Sequence, residues 1–96
     1  MTVQEFRESL ASSQPPSDMS LALQAMWYDA NGKWDEAHRL AQAEDDRIGA
    51  WVHAYLHRVE GDLSNAAYWY RRADRPVCQE TLEQEWDEIV GALLST

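Results

Sequence analysis

Apolar side chains along this chain recur three and four positions apart, the spacing that places them on one face of an α-helix. The clearest run is Ile48, Trp51, Val52, Tyr55, Leu56 and Val59, which predicts a helix over 46–60. The same period predicts helices over 3–11, 17–31, 33–44, 63–74 and 79–94. Their inward positions are Leu23, Met26, Trp27 and Ala30; Trp34, Ala37, His38 and Ala41; Leu63, Ala66, Ala67, Tyr70 and Ala73; and Leu82, Trp86, Ile89 and Leu93. No stretch alternates β-branched and polar residues, so no strands are expected. Proline and glycine separate the runs at SSQPPS, NG, EGD and RP. Thr2 with Glu5 forms a capping box for the first helix, Ser17 reads as the N-cap of the second, and Asp62 as that of the fifth.

Turns this short make consecutive helices antiparallel. The expected fold is a single all-α domain over 1–96. It comprises an N-terminal capping helix and proline linker at 1–16, two helix pairs at 17–76, and an acidic C-terminal capping helix at 77–96. With 45% hydrophobic residues and five tryptophans, the chain carries enough apolar surface to fold rather than stay disordered.

Charge narrows the function classes. Seventeen Asp and Glu stand against eight Lys and Arg, a net charge of -9, which repels nucleic acid and anionic membranes. The exception is Arg58, Arg71, Arg72 and Arg75, either a small patch for an acidic partner or solvated arginines near a helix end. No apolar run reaches membrane-spanning length and the N-terminus is mixed and charged, so a cytoplasmic location is the expectation. Cys78 has no intrachain partner and reads as a small, half-buried thiol.

Two segments echo each other. GKWDEAHRLAQA from Gly32 aligns with GDLSNAAYWYRRA from Gly61, matching Trp34 with Leu63 and Ala37 with Ala66. Their positions fit the pattern of the tetratricopeptide repeat: Leu21, Gln24, Ala25, Tyr28, Ala37 and Ala41 in the first unit, and Ala50, His53, Ala54, His57, Ala66, Tyr70 and Pro76 in the second. The chain thus resembles two tetratricopeptide-like helix pairs between capping helices. Residues 32–76 also resemble a group of small uncharacterised proteins sharing the run W-x-H-A-x-x-H-R-x-E-x-D-x-x-N-A-x-Y-W. Those positions are Trp51, His53, Ala54, His57, Arg58, Glu60, Asp62, Asn65, Ala66, Tyr68 and Trp69. That resemblance implies a shared fold and a region of interest, and no particular reaction.

The chemistry centres on the histidines. His53 and His57 lie one turn apart on a face of their helix away from the apolar stripe, with Glu60 beside them. Antiparallel register brings His38 level with His53, so all three imidazoles are expected in one region with Trp27, Tyr70 and Trp69. Three readings follow. The histidines pack between helices, hydrogen-bonded to neighbours. Alternatively they line a groove for a peptide or small anion, with Arg58, Asn65 and Arg72 as donors and Tyr68 and Trp69 as its floor. In the third reading His53 and His57 hold a divalent metal, with Glu60 or His38 as a further ligand. The HAYLH segment lacks the glutamate of a zinc hydrolase, and there is no phosphate loop, dinucleotide fingerprint or recognisable serine nucleophile. Catalysis is therefore not expected, and His57 or Glu60 is the only acid or base on offer. The leading expectation is a module that binds a protein or peptide, without a cofactor. A small-ligand or divalent-metal site around His38, His53 and His57, enzymatic or purely binding, is the alternative. A structural homodimer, with Trp86 and Leu94 at its contact, is a third.

Overall fold

A buried central helix organises the chain. In the computed structural model, which describes residues 1–95, α4 (Arg47–Glu60) touches α2 (Leu21–Ala30), α3 (Trp34–Ala43), α5 (Leu63–Arg72) and α6 (Leu82–Leu94), while α1 (Val3–Ser9) lies on α6. Every residue from Gly49 to His57 is buried, so both faces of α4 meet protein. The stripe from Trp51 to Leu56 packs into the main core with Phe6, Met26, Ile89 and Val90, and the opposite face carries His53 and His57. All six helices among the described residues are α-helical, with no strand, and none is long and apolar enough to cross a membrane.

Capping fixes where the helices start. Thr2 and Glu5 form the expected box, and Thr81 with Gln84 forms a second at the start of α6. Asp46 and Asp62 accept the Gly49 and Asn65 amides as N-caps of α4 and α5. The second helix starts later than Ser17, because Pro15, Pro16 and a left-handed Asp18 (φ 62) keep the chain irregular until Ser20 caps it. Gly61 ends α4 in the left-handed region (φ 86), where a glycine costs least.

Connections of three residues reverse the chain between α2 and α3 and between α3 and α4, and two residues do so between α4 and α5. Helices joined this tightly and packed side by side run antiparallel. At the α3–α4 corner the approach is so close that a Cβ on Gly49 would sit 1.8 Å from the Glu44 carbonyl oxygen. Only glycine permits that corner, and the corner sets how His38 on α3 faces His53 on α4.

Some inward positions turn out otherwise. Leu63 is 67% exposed, at the first position of α5 directly after the two-residue turn from α4. Val59 and Leu82 are also exposed. Conversely Glu85, in a segment that reads as a solvated acidic face, is 1% exposed. Its carboxylate lies 2.5 Å from the Arg58 guanidinium, within 2.7 Å of the Tyr70 hydroxyl, and accepts the Trp51 indole N–H at 3.2 Å. This joins α4, α5 and α6 through a buried ion pair whose remaining lone pairs are satisfied.

Candidate metal centre

The three imidazoles converge. Ring centroids are 4.5 Å apart for His38 and His53, 4.9 Å for His53 and His57, and 5.3 Å for His38 and His57. One nitrogen from each lies within 4.8 Å of the others. His53 and His57 are buried and His38 half-buried. The cause is local: His53 and His57 stack one helical turn apart, and the antiparallel α3 presents His38 edge-on to both.

Two indoles hold the rings. Trp34 stacks on His38 at 4.9 Å and donates its N–H to the Leu56 carbonyl at 2.8 Å, pinning the start of α3 to α4. Trp69 from α5 stacks on His53 at 3.8 Å, with the planes 13° apart. Each aromatic contact of this kind adds about 1 kcal/mol beyond the area it buries. His57 is oriented differently. Its Nδ1 lies 2.5 Å from the Glu60 carboxylate, which leaves Nε2 as the nitrogen without that partner. A carboxylate behind a histidine is the arrangement that sets tautomer and basicity in metal-binding imidazoles.

Burial keeps His38 and His53 neutral. Burial pushes His53 down to about 4, and the neighbouring His38 and His57 push the same way. His38 is lowered as well, first by burial and then by His57. At neutral pH both rings therefore offer lone pairs rather than charge. Among the described residues neither ring makes a hydrogen bond to protein, and every fully buried side-chain nitrogen or oxygen there has a partner. The free nitrogens of His38 and His53 are thus the ones that keep access from outside.

The other expected site residues fall in two groups. Trp69 and Glu60 join the cluster directly. Asn65 sits in the first turn of α5, its N–H taken by Asp62. Tyr68 is exposed and accepts a hydrogen bond from Arg72 at 3.0 Å, and Arg72 also covers the Trp69 ring at 5.2 Å. Arg58 turns instead to Glu85 and the Glu80 carbonyl. Tyr70 goes with it, and Trp27 points to the Ser9 carbonyl and the Tyr28 ring, so neither belongs to the aromatic setting of the histidines. Trp34 fills that place. Its helical spacing from His38 was the available signal, because residues four apart share a face. Trp86 is 7% exposed, packed on Phe6 and bonded to the Met26 carbonyl, which makes it a core residue. No family model matches the chain, and no curated protein or solved structure matches it.

Proposed function

We propose that this protein binds one divalent transition-metal ion through His38, His53 and His57, on a scaffold of tetratricopeptide-like helix pairs formed by α2 with α3 and α4 with α5. The observation that carries the reading is the convergence of three imidazole nitrogens within 4.8 Å. Tetrahedral bonds of about 2.0–2.1 Å place nitrogens about 3.4 Å apart, so side-chain rotation of roughly 1 Å closes the set on an ion. Imidazole donors favour zinc, copper, nickel or cobalt over magnesium and calcium, which take oxygen. Glu60 orients His57 from behind, and the two stacked indoles limit the rotamer freedom of His38 and His53 before the ion arrives.

Equilibrium dialysis against zinc tests this. One zinc ion per chain is expected in wild type, with affinity falling at least tenfold in His38→Ala and in His53→Ala while circular dichroism stays helical. Unchanged zinc binding in both folded variants would refute it.

A second reading, docking of a protein or peptide, is supported by the exposed apolar side chains Leu63, Tyr68 and Val77. A pulldown partner lost in Leu63→Asp and retained in His53→Ala would identify that surface as separate from the histidine cluster.

A further inference from the structure

A cavity of about 300 Å³ opens beside the histidine cluster, between the α3–α4 corner and α5. His53 and Trp69 line it, and of the three imidazoles only His53 does. Its charged lining consists of Glu44, Asp45, Asp46, Arg47 and Arg72. The set is net acidic by one charge, and backbone N–H groups hold two of its three carboxylates in place. Glu44 accepts the Ala22 N–H at 3.2 Å, and Asp46 accepts the Gly49 N–H at 2.8 Å. Asp45 remains as an exposed carboxylate on the lining.

The cations are less committed. Arg72 donates one N–H to the Tyr68 hydroxyl and otherwise lies across Trp69, leaving most of its five donors free. Arg47 pairs with Asp74 at 3.6 Å, between two exposed side chains. Three protein nitrogens also leave a four-coordinate ion with an open position.

We propose that this cavity admits a small carboxylate, which pairs with Arg72 and completes the coordination of the metal held by His38, His53 and His57. The inference rests on the metal reading above and adds the class of the exchangeable ligand. Guanidinium and carboxylate match geometrically as a bidentate pair. A carboxylate oxygen is an ordinary fourth donor to an ion already held by imidazoles. The stacked His53–Trp69 wall supplies an apolar side for the carbon skeleton.

Cobalt-loaded protein titrated with malonate separates this idea from the one beneath it, since tetrahedral cobalt reports its ligands through visible absorption. Expected are intense visible bands on adding cobalt, a saturable change in those bands with malonate, and about tenfold weaker malonate binding in Arg72→Met with cobalt affinity unchanged. Arg72→Lys should recover part of the loss. Visible bands that ignore malonate, malonate that merely strips the cobalt, or equal malonate affinity in Arg72→Met would each overturn the carboxylate site while leaving the metal in place. Absence of the cobalt bands would remove the metal reading itself.

Discussion

At the scale of single residues, burial sets the protonation behaviour. In the metal-free protein His53 is held near 4 by burial, against 6.5 for an ordinary histidine. The unfolded chain therefore gains a proton as pH falls through 6.5, while the folded chain does not until about 4. Stability contributed here is complete above 6.5 and lost as pH falls between those values, about 1–2 kcal/mol after discounting for partial solvent access. Urea denaturation at pH 7 and pH 4 should show a smaller acid loss in His53→Phe than in wild type; equal losses would contradict the assignment. Asp29 works in the opposite direction. Burial raises it to about 6 from 3.8, against the opposing pull of the Tyr55 hydroxyl, so its folded form prefers the proton and stability declines as pH rises from 3.8 through 6. Asp29→Asn should gain about 1–2 kcal/mol at pH 8, after discounting for partial solvent access, and nothing below pH 4. A loss at pH 8 would count against it. Glu85 is the residue whose role the sequence hid. Its segment QETLEQEWDE is mostly acidic and polar, and its partners, the Arg58 guanidinium and the Tyr70 hydroxyl, come from other helices. Replacing it by alanine strands a half-buried guanidinium, so Glu85→Ala should cost about 3–5 kcal/mol by urea denaturation. A cost below about 1 kcal/mol would show that the network adds little.

At the scale of elements, the helices were legible because a period of 3.6 residues with glycine, proline and capping signals leaves little freedom. The extent of burial was less so. Val59 and Leu63 fit an apolar stripe, yet both sit beside the α4–α5 turn, where no neighbouring helix covers them. Antiparallel register was enough to bring His38 to His53, since it depends only on turn position. It could not separate Tyr70 from Trp69, which are adjacent in the chain but project to different sides of α5. The α3–α4 corner gives a direct test of how elements position the site. Alanine is worth about 1 kcal/mol over glycine within a helix, but at Gly49 its Cβ meets Glu44 backbone at 1.8 Å. Gly49→Ala should therefore destabilise despite the propensity gain, and weaken zinc binding by displacing α3 from α4. A variant as stable as wild type, with unchanged zinc affinity, would show that the corner does not govern the histidines.

At the scale of the whole molecule, helices far apart in sequence are tied at two centres on opposite faces of α4. The Glu85 network lies on one side and the imidazoles on the other. A metal at the second centre, as proposed, would tie α3 to α4, and an ion bound to the folded chain alone would stabilise it by about 2.7 kcal/mol at a hundredfold excess over Kd. The most direct measurement of that centre is X-ray absorption on zinc-loaded protein. Three nitrogen neighbours at about 2.0–2.1 Å with the outer-shell signature of imidazole are expected. A zinc shell of oxygen alone, or an unchanged shell in the His38, His53 and His57 alanine variants, would contradict it.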